Sequence, residues 1–379
     1  MKEVRTRFFE LGKDISLENA PGFGPLTLAY EVCGRLSGGK DNAILLFHAL
    51  SGSQHAAGIN PAVPGVGALW REECRTGWWH QFIGPGKPID TRKFCVICAN
   101  YLGGCYGSTG PRSPNPRTGK PYGGSFPWVT ANDLVDSQVR LLDHLGIERL
   151  HAAIGPSLGG MLALNLAVRH PGRVKNVIPI AAAMEVSILQ RIHNFEQICA
   201  IEEDPDFRGG DYSSRRRPDR GLGLARMISQ KTFVSLHSLT RRARKEVLRE
   251  NRTGRNRYRL SHPVESYLLH QAEKFVRRFD ANTYLRILGL WQTFDLVKDG
   301  GRRSPATVFN RCRKQRHLVF SIDSDVCFYP EDQERLVSRL QKSKVPCRHI
   351  TVHSAKGHDA FLLEPVLFAP YLAYSLEEK

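Results

Sequence analysis

Among the 379 residues no apolar run approaches the roughly 18 residues that a membrane-spanning helix needs, which excludes a helical membrane protein. The first residues, Met1-Lys2-Glu3-Val4-Arg5, run into charge without the apolar centre of a secretory signal, so the expectation is a cytoplasmic protein with no membrane partner. Nine cysteines, an odd number strewn from Cys33 to Cys347, make no compact disulfide framework and read as free thiols. Cys95-Val96-Ile97-Cys98 has a metal-binding spacing, but it lies in a strand-like run, where residues three apart point to opposite faces. No metal is therefore expected. No internal repeat is present, and the one Gly/Pro/Ser-rich stretch, Leu102 to Phe126, reads as a long loop of the kind that often carries function. Acidic residues are in deficit, 37 against 54 basic ones, for a net charge of +17.

What is present is ordinary globular composition, 41% hydrophobic and 24% charged, which argues against disorder. The length exceeds one average domain yet suits a single elaborated α/β domain with an insertion. The excess charge is concentrated between Thr240 and Arg259, where nine basic residues face two acidic ones. This run reads first as a solvated helical face and second as an attractor for the phosphates of a coenzyme. No nucleic-acid motif accompanies it, and no nucleic-acid partner is expected.

Apolar runs at Leu26 to Val32, Ala43 to Phe47, Phe94 to Ala99, Leu150 to Ile154, Val174 to Ala182 and His317 to Ile322 predict strands, with another near Arg348 to Val352. Helical spacing marks Asn132 to Leu145, Leu158 to Val168, Pro263 to Phe275 and Pro330 to Leu340. The alternation predicts an α/β fold, a mainly parallel sheet covered by helices. After Ala183 the rhythm changes to an arginine-rich segment without clear strands. The expected organisation is a core of residues 1–183 and 304–379 with an inserted helical lid of residues 184–303.

Ile154-Gly155-Pro156-Ser157-Leu158-Gly159-Gly160 joins a predicted strand to a predicted helix. On its own G-x-S-x-G also fits an ordinary glycine-rich turn. At a strand-to-helix junction it reads as a nucleophile elbow, whose glycines are needed where a Cβ would strike neighbouring backbone. Asp325 follows the strand ending at Ile322, and His358 lies in Lys356-Gly357-His358-Asp359 beyond the last strand. The order Ser, Asp, His with each residue in a loop after a strand is that of α/β-hydrolase folds. A serine hydroxyl is a poor nucleophile until an imidazole removes its proton, and a carboxylate must hold that imidazole in the right tautomer. Asp323 is a rival for the acid role. An oxyanion hole is expected from the backbone N–H of Leu158, directly after the nucleophile, and of Leu50 in the loop His48-Ala49-Leu50-Ser51-Gly52. His48 and His55 read as structural or surface histidines.

The segments Leu46 to Gly52, Trp78-Trp79, Ile83 to Gly86, Asn100 to Pro111, Val264 to Leu268, Arg278 to Leu285 and Gly357 to Leu362 resemble the homoserine O-acetyltransferase family, in a likeness running from about Phe8 to about Pro365. The resemblance implies an acyl-CoA-dependent transferase of the α/β-hydrolase fold. It would move an acyl group through Ser157 to the hydroxyl of homoserine, in methionine biosynthesis, as a homodimer. It implies no permanently bound cofactor, acyl-CoA serving as co-substrate. By the same resemblance Arg226 would pair with the substrate carboxylate and Asp359 with its ammonium, one fixed charge of each sign for an amino-acid zwitterion. Departures from the family pattern are Pro156 and Leu158 around the nucleophile, Phe233 where relatives often carry tyrosine, and Gln292 where they carry aspartate. These leave open homoserine against serine as acceptor and acetyl against succinyl as donor. A neutral Cys327 near the acyl pocket favours acetyl. A serine esterase with the same triad and a non-catalytic binder of polyanions are the readings from other classes.

Overall fold

The computed structural model describes residues 2–12, 16–243, 260–301 and 304–378. Its strands are β1 (Arg7–Leu11), β2 (Leu26–Cys33), β3 (Ala43–Leu46), β4 (Ile83–Gly84), β5 (Ile89–Asp90), β6 (Cys95–Ala99), β7 (Leu150–Pro156), β8 (Val174–Ile180), β9 (Arg316–Ile322) and β10 (Cys347–Val352). Eight of them form one sheet in the order β1-β2-β6-β3-β7-β8-β9-β10, and β4 pairs with β5 in a small ribbon. Pairs β1–β2 and β2–β6 are antiparallel, while every neighbour from β6 to β10 is parallel.

The central strands read as unbroken apolar runs because both faces are covered. Ile44, Leu46, Val96, Ile154, Ile178 and Phe320 pack on one side, with Trp79, Phe82 and Phe368. Leu45, Ile97, Ala153, Val177 and Val319 pack on the other. This alternation also puts Cys98 on the first of these faces and directs Cys95, three positions earlier on β6, the opposite way.

The helices are α1 (Ala131–His144), α2 (Leu158–Arg169), α3 (Ile188–Glu202), α4 (Asp219–Phe233), α5 (Leu236–Ala243), α6 (Pro263–Arg278), α7 (Ala281–Thr293), α8 (Leu296–Asp299), α9 (Pro305–Phe309), α10 (Pro330–Lys342), α11 (Ala360–Leu363) and α12 (Pro365–Glu377). A capping box starts α1, with the Thr130 hydroxyl accepting from the Asp133 amide and the Asp133 carboxylate accepting from the Thr130 amide. Among the described residues, no strand lies between β8 and β9, where the elements are all helices. Residues 244–259, most of the arginine-rich run, lie outside the described residues.

Strand and helix ends differ from the sequence reading by a few residues. β1 was not foreseen, since Arg7-Phe8-Phe9-Glu10-Leu11 is short and mostly exposed at the sheet edge. Neither was α7, buried on all sides from Ala281 to Leu288, so that its sequence carries no amphipathic period.

Candidate active site

The last residue of β7 is Pro156 and the first of α2 is Leu158, so Ser157 alone makes the turn from strand to helix. It does so at φ +57° and ψ −130°, outside the helical and extended basins, a strained backbone that lifts the side chain clear of both elements. The glycines make this possible. A Cβ on Gly155 would come within 2.1 Å of Gly159 backbone, and one on Gly159 within 2.3 Å of the Phe47 carbonyl at the end of β3. The Ser157 amide is held by the Ile180 carbonyl at 2.8 Å.

His358 Nε2 lies 2.8 Å from Ser157 Oγ, and its Nδ1 lies 2.6 Å from Asp325 Oδ2. Asp325 is 1% exposed, and its other oxygen accepts from the amides of Cys327 at 2.7 Å and Phe328 at 2.9 Å. With Oδ1 so held, Oδ2 is aimed at the imidazole, which fixes Nδ1–H and leaves Nε2 to accept the serine proton. The ring is clamped by aromatic neighbours. Phe328 stacks on it at 5.3 Å between centroids, Phe361 meets it edge-on at 5.2 Å, and Phe233 lies at 6.0 Å. Asp323 is the acid that the site does not use. It accepts from His353 Nδ1 at 2.9 Å and from the Ser354 amide at 3.0 Å on the half-exposed surface.

Leu158 N–H is the first amide of α2, with no carbonyl four residues behind it inside the helix. Leu50 sits in a tight turn closed by the Gly52 amide on the Ala49 carbonyl at 2.9 Å. That turn continues the segment of Phe47 and His48 against which Gly159 packs, so the two amides named from sequence belong to adjoining pieces of backbone. His48 is 2% exposed, donates Nδ1–H to the Ala49 carbonyl at 2.8 Å and stacks on Tyr101, and burial pulls its pKa down to about 4. His55 is equally buried, bonded to Glu31 at 2.7 Å and to the Arg75 carbonyl at 2.9 Å. Both histidines are structural, and neither lies on the surface.

A cavity of about 310 Å³ lies beside this machinery, lined among others by Ala49, Ser51, Gly52, Trp78, Tyr106, Arg226, Lys274, Phe275, Arg278 and Leu362. Arg226 presents its guanidinium across the rings of Phe233 at 5.2 Å and Phe275 at 5.1 Å, which orients a planar cation without neutralising it. Its Nε has no hydrogen-bond partner, and no ion pair among the described residues includes it. Burial and then the nearby Arg278 lower its pKa, while Asp359 acts in the opposite direction and so lies within its field. Cys327 is buried, with its thiol pushed well above the usual range chiefly by desolvation, and it remains neutral. Gln292 and Arg191 exchange side-chain bonds to each other's backbone carbonyls, a purely structural arrangement.

A family model described as the alpha/beta hydrolase fold matches residues 42–365. A homoserine O-acetyltransferase of Solidesulfovibrio magneticus is 39% identical over 381 residues, covering 99% of this chain and 92% of its own. A homoserine O-succinyltransferase of Alkalilimnicola ehrlichii is 41% identical over 349 residues, covering 92% and 88%. The chain belongs to the homoserine O-acyltransferase family. As a member of that family it is an α/β-hydrolase-fold enzyme of the acyltransferase type. The crystal structure of homoserine O-acetyltransferase from Bacillus anthracis superposes on it with TM-score 0.88 at 27% identity, covering 100% of this chain and 99% of the other. The crystal structure of esterase E22 does so with TM-score 0.87, also at 27% identity, covering 99% and 100%. Backbone likeness alone therefore does not separate this family's transferases from hydrolases.

Sequence reasoning missed the aromatic clamp of Phe328, Phe361 and Phe233 around the imidazole, and the part played by Tyr106 and Arg278 in the cavity wall. Arg278 and Tyr106 stood inside segments that carried the family likeness, but nothing local marked their partners.

Proposed function

We propose that this protein transfers an acyl group from acyl-CoA to the side-chain hydroxyl of L-homoserine through an ester on Ser157. The observation that carries the reading is the unbroken chain from Ser157 Oγ through His358 to Asp325, next to a cavity lined by the Arg226 guanidinium, whose Nε has no hydrogen-bond partner. His358 Nε2 takes the proton of Ser157 Oγ as that oxygen bonds to the thioester carbonyl carbon. The resulting oxyanion is met by the Leu158 and Leu50 amides. The C–S bond then breaks, and the CoA sulfur leaves with the proton that His358 held. In the second half His358 takes the proton of the acceptor hydroxyl, that oxygen attacks the acyl-serine carbonyl, and Ser157 Oγ departs reprotonated. Asp325 keeps its negative charge throughout and stabilises the transient imidazolium.

Arg226 would grip the homoserine carboxylate and Asp359 its ammonium, placing the side-chain hydroxyl near the ester. Residues 184–303 act as a lid that keeps water from the acyl-enzyme. Acetyl is the donor this reading favours, because Cys327 offers no positive charge to a second carboxylate. On this reading the enzyme works in the cytoplasm as a homodimer in methionine biosynthesis; its free cysteines fit the compartment, and the names of its relatives fit homoserine as substrate.

Steady-state assays that cross acetyl-CoA and succinyl-CoA with homoserine and serine test the proposal. Free CoA is expected in stoichiometric excess over enzyme only when homoserine is present. Continuous release without any acceptor would make the protein a thioesterase or esterase.

A further inference from the structure

We propose that Arg278 is a positioning residue that braces the oxyanion loop from the lid side. Four carbonyls of that loop and its continuation, those of His48, Ala49, Ser51 and Ser53, are tied by hydrogen bonds. Tyr101 donates its hydroxyl to the His48 carbonyl, the Gly52 amide and His48 Nδ1 donate to the Ala49 carbonyl, and Trp78 Nε1 donates to the Ser53 carbonyl at 2.9 Å. These donors come from residues 48–101, in the core. The Ser51 carbonyl is tied differently, by Arg278 Nη1 at 3.2 Å, from the last residue of α6.

Arg278 is built to hold that position. Its own carbonyl accepts from the Tyr106 hydroxyl at 2.6 Å, and the same hydroxyl lies 3.3 Å from its Nη1, so Tyr106 clips both ends of the residue to the glycine-rich loop of residues 102–110. Its guanidinium lies over the Phe275 ring at 5.2 Å. Arg217 holds the end of α6 by donating to the carbonyls of Val276 at 2.8 Å and Phe279 at 2.7 Å. No ion pair among the described residues includes Arg278, so its bond to Ser51 is not incidental to pairing with a carboxylate. An amide contributes to transition-state stabilisation only when its position is set beforehand, because reorienting it during the reaction consumes the gain. Arg278 thereby makes the aim of the Leu50 amide depend on a helix of the insertion. The inference rests on the reading of Leu50 as an oxyanion donor.

Two variants test it with acetyl-CoA and homoserine, Arg278→Ala and Arg278→Lys, the alanine variant also with added guanidinium. Removing the brace is expected to lower kcat and the pre-steady-state burst of free CoA by roughly 10- to 100-fold, below the loss of a whole oxyanion donor. KM for both substrates should stay within about threefold, and Arg278→Lys or guanidinium should restore part of the burst, since either returns one donor to the Ser51 carbonyl. The lysine variant keeps the test valid if the alanine variant folds poorly. An unchanged burst, or a raised KM for acetyl-CoA with unchanged kcat, would overturn the proposal, the latter by showing that Arg278 binds a substrate anion. Failure of the underlying reading is distinct, because the wild-type enzyme itself would then show no burst and no acetylated Ser157 by mass spectrometry.

Discussion

Ser157 and His358 are 201 residues apart in the chain and 2.8 Å apart in space, so each proposed role is testable on one side chain at a time. Ser157→Ala removes the attacking oxygen, and mass spectrometry after mixing with acetyl-CoA should find no covalent acyl adduct. Asp325→Asn keeps the shape and the bonds from the Cys327 and Phe328 amides, yet it removes the charge that selects the imidazole tautomer. Turnover should drop by about 10³- to 10⁴-fold, with little change in unfolding midpoint. Asp359→Ala should leave acylation of Ser157 largely intact while raising KM for homoserine, and loss of labelling in that variant would remove Asp359 from the amine site. Ser157, Asp325 and His358 were legible in sequence, because each sits in a turn or loop past an apolar run, whereas Asp359 came only from the family resemblance. The rings around His358 were not, since Phe328 and Phe361 look like any other core phenylalanine until the fold brings them to the imidazole.

The strand–turn–helix unit of β7, Ser157 and α2 owes its geometry to glycines whose necessity is steric. Gly159→Ala puts a Cβ 2.3 Å from the Phe47 carbonyl and 2.9 Å from the His48 carbonyl, so α2 must move away from the loop after β3. This substitution should cost about 2–4 kcal/mol in urea denaturation and slow acylation as well. Gly172→Ala is the control, because nothing lies within 4 Å of its added Cβ, and its effect should stay within about 0.5 kcal/mol. Elements whose two faces differ, such as α1 and α10, were readable from their periodicity. The fully buried α7 and the edge strand β1 were not, one because polar and apolar residues alike are buried on every side of it and the other because so little of it is covered.

At the scale of the whole molecule, two buried histidines link stability to acid. Burial lowers the pKa of His48 to about 4 and that of His317 to about 3, from an ordinary value of 6.5. Below pH 6.5 the unfolded chain therefore binds protons that the folded chain refuses. Their contribution is complete above that pH and is lost as the pH falls towards 4 and 3. The loss from His48 alone is on the order of 3 kcal/mol. Unfolding free energies measured from pH 7 to pH 4 should fall, and His317→Gln should flatten that limb. An unchanged slope in this variant would show that His317 titrates normally in the folded state. The same scale contains the join between insertion and core, where Arg278 from α6 reaches Ser51, Tyr106 holds Arg278, and Arg226 from α4 faces the cavity.

The alternation of the central strands with helices, the elbow motif at Ser157 and the candidates Asp325 and His358 were legible in the sequence itself, because the period of apolar residues and the placing of turn residues are local properties of the chain. Tertiary structure alone decided that Asp325 and not Asp323 meets the imidazole, that three rings clamp it, and that Arg278 of α6 reaches the Ser51 carbonyl beside Leu50. These depend on which surfaces pack together, across 33 residues for Asp325 and His358 and across 227 for Ser51 and Arg278. A side chain's type states what it is able to bond, but only packing supplies the partner.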